Sequence, residues 1–312
     1  MKAKNPNFDV IIIGGSFAGL SCAMTLGRSL RSVLIINEEL PRNRRVDKAH
    51  NFIIADGREP FDILASAQKS VLKYKTVKYK KDAVTKVSKL KDIFKVTTRK
   101  GEVYSSDRLM LASGVKDIPK SIKGFSPCWG RSIYHCPYCH GYEIKNMKTG
   151  LLCFPENIPD LTPLLLNLTK KLVIFTNGEK LTNKQKEILE KYSIKFYENK
   201  INEIKHVKGC MKSILLEDGS DVSLETLFTH IPVYQCSDIP VKLGVKLNEK
   251  NIIITDENGR TNVEKIYAAG DCTNHVHQIS TSISGGSKTA MCINREMVDE
   301  EFPMNLHIRK KK

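Results

Sequence analysis

The sequence has no apolar run long enough to span a membrane, and no apolar stretch of signal-peptide length lies near its start. It also lacks the modules that recognise nucleic acid, such as zinc-finger spacing, a basic region with heptads or an RNP-like aromatic strand. The nine cysteines are an odd number and do not have the spacing of a disulfide framework. These absences predict a cytoplasmic protein that binds neither membranes nor nucleic acid.

Positive charge is present in excess. Lys and Arg number 50 against 34 Asp and Glu, which gives a net charge of +16 over 312 residues. Such an excess favours an acidic partner, whether nucleic acid, an anionic cofactor or an acidic protein, but dispersed lysines on a solvated surface give the same composition. Only IRKKK, residues 308–312, is a compact basic cluster. The length is sufficient for two domains.

A nucleotide-binding pattern opens the chain. Residues 9–13 form an apolar run that predicts a strand buried on both faces. Gly14, Ser16 and Gly19 occupy the three glycine positions of a G-x-G-x-x-G turn, and helical periodicity follows. Such a turn points free N–H groups and a helix dipole at a pyrophosphate, and serine is small enough for the middle position. The predicted ligands in this turn are Gly14, Gly15, Ser16, Ala18 and Gly19.

The second predicted strand, 33–36, is followed by Asn37 and Glu38. A polar residue at this point of a βαβ unit takes ribose hydroxyls. Both residues are candidates for that role.

Two further segments carry a family resemblance. TNVEKIYAAGD, 261–271, resembles the segment of flavoprotein disulfide reductases in which the final aspartate holds the ribityl chain of FAD. LMLASG, 109–114, resembles the segment that leaves the FAD domain. The resemblance implies FAD as the cofactor, with Gly114, Gly270, Asp271 and Gln278 among its ligands. Three motifs in this order are more specific than one glycine pattern.

Two cysteines three residues apart lie in YHCPYCHGYE, 134–143. A thiol–disulfide exchange site needs one reactive thiolate, a second cysteine close enough to resolve the mixed disulfide, and a group that moves a proton near neutrality. Cys136, Cys139 and His140 supply these three. A zinc site is the alternative, but no other two cysteines have this spacing; an inert cysteine pair is the third interpretation.

With these motifs in order, the chain resembles low-molecular-weight thioredoxin reductases over nearly its whole length, and CPYCHGYE is similar to the branch that includes gliotoxin-type dithiol oxidases. The resemblance implies that Cys139 lies against the flavin, that Cys136 is the interchange thiol and that His140 is the acid–base group. It also implies a homodimer.

The second nucleotide motif of those relatives is missing. The strand predicted at 149–154 leads into PENIPDLTPLLLNL, where no glycine pattern can be drawn, and Pro155 and Pro159 remove backbone donors. The next predicted strand, 171–178, is followed by scattered lysines in place of an arginine-rich segment; they are Lys180, Lys184 and Lys186. We therefore expect little or no binding of NADPH.

The sequence thus predicts an α/β protein with two Rossmann-like domains: an FAD domain from 1–114 and 244–312, and a central domain from 115–243 with the cysteine pair. The predicted activity is FAD-dependent thiol–disulfide exchange with a thioredoxin-like protein or a small disulfide or dithiol. Ferredoxin or flavodoxin would supply the electrons in place of NADPH. The alternatives are a small-molecule dithiol oxidase that uses oxygen and a flavin-binding protein that has lost catalysis.

Overall fold

The computed structural model describes residues 7–304, so the basic cluster 308–312 lies outside the described residues. The chain divides into two compact units. The first contains the residues up to Arg42, Phe61–Lys116 and the residues from Val233 onward, and the second contains Asn43–Pro60 and Asp117–Pro232. The domain limits drawn from the sequence stay a prediction.

The described chain forms strands and helices in alternation. The strands are β1 (Phe8–Ile13), β2 (Val33–Asn37), β3 (Val77–Lys81), β4 (Val84–Leu90), β5 (Ile93–Thr98), β6 (Val103–Leu111), β7 (Val115–Asp117), β8 (Ile133–Tyr134), β9 (Thr149–Leu152), β10 (Leu172–Phe175), β11 (Lys195–Tyr197), β12 (Ile201–Val207), β13 (Cys210–Leu216), β14 (Asp221–Ser223), β15 (Thr226–Thr229), β16 (Val233–Gln235) and β17 (Ile266–Ala268). The helices are α1 (Phe17–Arg28), α2 (Pro60–Val71), α3 (Phe125–Cys128), α4 (Pro137–His140), α5 (Ile158–Leu168), α6 (Asn183–Lys191), α7 (Ile239–Lys242) and α8 (Ile279–Glu301), and a 3₁₀ turn covers Pro155–Asn157.

The first unit is built on a sheet of order β3-β2-β1-β6-β5-β4, with β17 also paired to β6. β1, β2, β3, β6 and β17 run parallel, and β4, β5 and β6 form an antiparallel meander. Val10 and Ile12 pack into the core that contains α1 and α8 side chains, while Ile11 and Ile13 pack into the core on the opposite face. Burial on both faces explains why β1 is apolar without alternation.

The second unit repeats this plan on a smaller scale. Its parallel sheet has the order β11-β10-β9-β15-β8, and β12, β13 and β14 form a separate antiparallel sheet. Ile174 packs with α5 and α6, whereas Val173 and Phe175 pack with the antiparallel strands. The segment EDGSD, 217–221, forms the hairpin turn between β13 and β14, with Gly219 at φ +85°.

Both predicted strands of the central domain are shorter than expected. β9 ends at Leu152 because Pro155 begins a 3₁₀ turn, and β10 ends at Phe175. The predicted α/β fold class with two Rossmann-like parts is confirmed. Within residues 7–304, no helix has both the length and the apolar character that a membrane crossing requires.

Candidate functional site

The turn from β1 to α1 is shaped by close backbone approaches. Gly14 has φ +105°, and a Cβ there would lie 2.2 Å from the Ala112 carbonyl oxygen. A Cβ on Gly19 would lie 2.0 Å from the Gly14 carbonyl oxygen. Ser16 has φ −91°, a region open to any residue, which explains why the middle position does not need glycine.

The N-terminus of α1 is suited to an anion. Within the described chain the Ser16 side chain makes no capping hydrogen bond, and the first turn of α1 contains no acidic residue. The first N–H groups of a helix have no intrahelical acceptor, and the helix dipole adds positive potential there. Gly15 and Ala18 are buried beside this end of the helix.

Asn37 and Glu38 lie in different environments. A Cβ on Gly15 would be 2.9 Å from the Asn37 Cβ, so Asn37 lies directly against the turn, and its Nδ2 donates to the Tyr79 hydroxyl at 2.8 Å. Glu38 is exposed and forms an ion pair with Arg99. This arrangement favours Asn37 as the ribose ligand.

The downstream motifs meet the same end of the sheet. Gly270 has φ +91°, and a Cβ there would be 2.8 Å from the Ala18 Cβ. Asp271 follows and accepts hydrogen bonds from Arg42 and from Ser282, each at 3.2 Å. The structure therefore brings the motif at 261–271 to the first turn of α1.

Gln278 and Gly114 complete the predicted set. Gln278 caps α8, and its backbone N–H donates to the Thr281 hydroxyl at 3.3 Å. Gly114 has φ +68° and open space where a Cβ would be. The neighbouring Ser113 Oγ is buried and has no hydrogen-bond partner among the described residues. A buried hydroxyl without a partner is consistent with a ligand that supplies one.

These residues fit FAD. The glycine turn, the uncapped N-terminus of α1 and the unpartnered Ser113 hydroxyl would hold a pyrophosphate and its attached groups. Asp271 is already oriented by Arg42 and Ser282 to accept hydroxyl donors.

The cysteine pair forms a disulfide. Cys136 and Cys139 are bonded with their Cα atoms 5.3 Å apart, and both are half-buried. Cys136 is the N-cap of the short helix α4, and its Sγ accepts a hydrogen bond from the Cys139 N–H at 3.1 Å. Two intervening residues in one helical turn therefore allow the bridge to close.

His140 follows the pair in an enclosed position. Its ring stacks on Tyr134, with centroids 4.3 Å apart and planes inclined by 22°. Burial, with a smaller contribution from His50, lowers the pKa of His140 to about 4. The imidazole is therefore neutral near pH 7 and available as a base.

The turn from β9 to α5 differs from the β1–α1 turn in its residues and in its hydrogen bonds. Where a glycine turn would lie, Pro155 begins the 3₁₀ turn, and its carbonyl oxygen accepts a hydrogen bond from Gln185 Nε2 at 3.0 Å. α5 carries Pro159 and Asp160 in its first turn. A carboxylate at a helix N-terminus opposes the binding of a second anion.

Two of the three lysines after β10, Lys180 and Lys186, lie close to the carboxylate of Glu198. Glu198 Oε2 lies 3.2 Å from Lys186 Nζ and 3.7 Å from Lys180 Nζ, and Glu198 Oε1 accepts a hydrogen bond from the Leu181 N–H at 2.7 Å. Lys184 lies in the first turn of α6. The residues of this region do not match the cradle of a dinucleotide.

Several residues of the site are not predicted from the sequence. Arg42, Ser282 and Tyr79 hold predicted ligands, and His50 faces His140 with ring centroids 6.4 Å apart. His50 and Asn51 belong to the segment HNF, 50–52, which gives no independent sequence signal for a role at the flavin. No motif could have found the others, because their roles depend on tertiary contacts.

A family model described as pyridine nucleotide-disulphide oxidoreductase matches residues 8–174 and 164–286. Fold, flavin motifs and disulfide together define a flavoprotein disulfide oxidoreductase of thioredoxin reductase type. The chain belongs to the pyridine nucleotide-disulphide oxidoreductase family. The resemblance drawn from the motifs is confirmed.

Similar proteins extend over almost the whole chain. The thioredoxin reductase aclD of Aspergillus oryzae is 29% identical over 95% of this chain and 98% of its own length. The thioredoxin reductase sirT of Leptosphaeria maculans is 28% identical over 93% of this chain and 96% of its own length. The crystal structure of an oxidoreductase from Agrobacterium tumefaciens superposes with a TM-score of 0.88 at 30% identity, covering 93% of this chain and 98% of that one.

Proposed function

We propose that this protein passes electrons between FAD and an external disulfide or dithiol through Cys136 and Cys139, and that it uses NADPH poorly or not at all. One observation carries the proposal. The β1–α1 turn has the form of a dinucleotide cradle, whereas Pro155, the Gln185 contact and Asp160 occupy the corresponding β9–α5 turn. Electrons therefore enter or leave by a route other than a pyridine nucleotide.

An acidic carrier protein such as ferredoxin or flavodoxin is the proposed electron donor. A chain with a net charge of +16 attracts such a partner over long range and accelerates its association. A thioredoxin-like protein or a small disulfide is the proposed acceptor. We place the reaction in the cytoplasm and the protein in a homodimer, following the cysteine pattern and the family resemblance.

Cys136 is assigned the interchange role and Cys139 the flavin-facing role. In the direction of dithiol oxidation, a substrate thiolate attacks Cys136 Sγ, the Cys136–Cys139 bond breaks, and Cys139 leaves as a thiolate. The second substrate thiol gives its proton to His140 and attacks the mixed disulfide, which releases Cys136 as a thiolate and the substrate as a disulfide. Two electrons have then moved to the cysteine pair, and bound FAD supplies two-electron redox chemistry.

The second candidate function is oxidation of a small-molecule dithiol with oxygen as the final acceptor. The β9–α5 turn favours it, because a dithiol that reduces the flavin through Cys136 and Cys139 removes the need for a pyridine nucleotide. Rapid oxygen uptake with small dithiols, together with an absence of thioredoxin turnover, would support this function over the first.

An anaerobic titration of the purified flavoprotein tests the proposal. Flavin absorbance is followed on addition of NADPH, then reduced ferredoxin or flavodoxin, and then dithiothreitol. We expect no bleaching at micromolar NADPH and rapid bleaching by a carrier or a dithiol. The Cys136→Ser variant serves as the control and should lose the response to dithiols. Bleaching by micromolar NADPH would show that the proposed loss of NADPH use is wrong.

A further inference from the structure

Asn37 ends β2 where a ribose ligand is expected, and its side chain lies against the glycine turn. A Cβ on Gly15 would be 2.9 Å from the Asn37 Cβ and 3.1 Å from its Cγ. The residue that takes a ribose hydroxyl at this point of a βαβ unit is ordinarily a carboxylate, which accepts at both oxygens. An amide accepts at one end and donates at the other, so the orientation of Asn37 decides what it offers to a ligand.

Tyr79 lies beside Asn37 on the neighbouring strand, where it is the β3 partner of Ile35. Its hydroxyl accepts a hydrogen bond from Asn37 Nδ2 at 2.8 Å. The same hydroxyl donates to Glu39 Oε1 over a longer distance of 3.4 Å. Glu39 is held in turn by an ion pair with Lys81. One hydroxyl therefore connects the amide to a carboxylate.

The single proton of this hydroxyl fixes the orientation of the amide. A carboxylate accepts hydrogen bonds and donates none, so the proton of Tyr79 goes to Glu39. The Tyr79 oxygen can then only accept, and the end of Asn37 that faces it is the NH₂ group. In the opposite orientation, Asn37 Oδ1 and Glu39 would compete for one proton and one of them would stay unsatisfied. Asn37 Oδ1 is consequently turned away from Tyr79.

The surroundings of the hydroxyl keep this arrangement in place. Tyr79 is half-buried, and burial is the first cause that raises the pKa of its hydroxyl above the ordinary value. The hydroxyl therefore keeps its proton near neutrality. Partial exclusion of water also makes an unsatisfied partner more costly than it would be on an open surface.

We propose that Tyr79 is a positioning residue that, together with Glu39, orients the Asn37 amide so that its oxygen accepts a hydrogen bond from the adenosine ribose 2′-hydroxyl of FAD. Asn37 by itself does not fix an acceptor at this place, because the two ends of an amide have nearly the same shape. The inference concerns how the chain holds FAD, and it does not depend on the electron route proposed above. No proton or electron is transferred in it.

Tyr79→Phe removes the hydroxyl and keeps the ring. The apo-protein is titrated with FAD and with an FAD analogue whose adenosine ribose lacks the 2′-hydroxyl. The wild type should bind the analogue about fivefold more weakly than FAD, because Asn37 Oδ1 loses its donor. In Tyr79→Phe the amide is free to turn, so FAD affinity should fall about fivefold while affinity for the analogue changes less than about twofold. Tyr104→Phe, in β6 of the same sheet, is the matched control and should keep the preference for FAD.

Glu39→Gln is a second test that leaves the tyrosine in place. A glutamine can donate to Tyr79, which can then donate to Asn37 Oδ1 and turn the NH₂ group toward the ligand. The preference for FAD over the analogue should therefore shrink in this variant as well, and its ratio decides the matter if Tyr79→Phe does not fold.

The ratio of the two affinities separates positioning from packing. A preference in Tyr79→Phe equal to that of the wild type overturns the inference, whether both affinities stay the same or fall together. A wild type that binds both ligands equally also overturns it. Bleaching of the flavin by NADPH would contradict the proposed function and leave these affinities unchanged.

Discussion

The two strand-to-helix turns of this protein follow the same topology and differ in what they can hold. The β1–α1 turn has glycines at 14 and 19, an uncapped helix end and no acidic residue in the first helical turn. The β9–α5 turn has Pro155, a carbonyl already bonded to Gln185, and Asp160 in the first helical turn. The backbone N–H groups of the β1–α1 turn remain available to a ligand. In the β9–α5 turn, the Pro155 carbonyl is already hydrogen-bonded and Asp160 adds a negative charge.

The difference teaches that a fold and its ligand site depend on separate residues. β9, β10 and α5 keep their places because Leu151, Ile174 and Leu165 are fully buried in one cluster. That burial does not involve the turn residues. The second unit can therefore keep the Rossmann-like form after the turn residues have changed.

The largest expected effect comes from adding one methyl group to the first turn. Gly14→Ala would place a Cβ 2.2 Å from the Ala112 carbonyl oxygen at a φ of +105°. We expect FAD affinity to fall roughly 100-fold, since strain of this kind costs about 1–3 kcal/mol and the turn must move to relieve the contact. FAD content after purification and an apo-protein titration measure the loss.

Gly101→Ala is the matched control. Gly101 also has positive φ, +82°, but nothing lies within 4 Å of the added atom. It should lose about 1 kcal/mol of stability and retain FAD. Full FAD binding by Gly14→Ala would contradict the role assigned to the β1–α1 turn.

A smaller effect is expected from Glu198→Gln in the second unit. The Leu181 N–H, with smaller contributions from Lys186 and Lys180, holds the pKa of Glu198 below its usual range. We expect a loss of about 1 kcal/mol in the free energy of unfolding at pH 7. NADPH should still fail to bleach the flavin, because releasing the lysines does not create a glycine turn.

The pH dependence of this loss follows from the sign of the shift. A lowered pKa in the folded state stabilises the protein above the usual pKa of glutamate, about 4.3, and the contribution disappears as the pH falls through the folded-state value. The wild type and Glu198→Gln should therefore converge below about pH 4 in denaturant unfolding. Glu190→Gln, an exposed glutamate of α6, is the control. If NADPH reduced the flavin of Glu198→Gln, the pairing of Glu198 with the lysines, and not the shape of the β9–α5 turn, would account for the loss of NADPH use.

The smallest effect is expected at the middle position of the first turn. Ser16 has φ −91° and ψ −160°, which serine adopts without strain. Ser16→Gly should leave FAD affinity within about threefold and lower stability by about 0.5–1 kcal/mol, because glycine loses more backbone entropy on folding. Isothermal titration of the apo-protein with FAD checks this. A tenfold gain in affinity would show instead that the serine hinders the approach of the pyrophosphate.

The sequence predicts the features that depend on local spacing. The strand 9–13 and the turn at 14–19 follow from periodicity and turn chemistry and are present in the structure. The end of β9 was predicted two residues late, because the apolar run continues through Cys153 and Phe154 after pairing has stopped.

The features that depend on long-range contacts could not be predicted. The Arg42–Asp271 ion pair joins residues 229 positions apart, and Glu198 meets Lys186 through the folding of α6 onto β11. The sequence left Asn37 and Glu38 as equal candidates, and only the Arg99 ion pair and the contact with Gly15 distinguish them. His50 lies 90 positions before His140, and no spacing rule connects them.

The close packing of Gly286 on α1 has a consequence for how the protein is made. A Cβ on Gly286 would lie 2.1 Å from the Ala18 carbonyl oxygen, so α8 seats directly on the helix that begins the flavin cradle. A ribosome translates the cradle before it translates Asp271 and α8. A nascent chain therefore contains the glycine turn before the elements that complete the pocket exist. Capture of the flavin consequently waits for α8, and chains released before α8 should accumulate colourless.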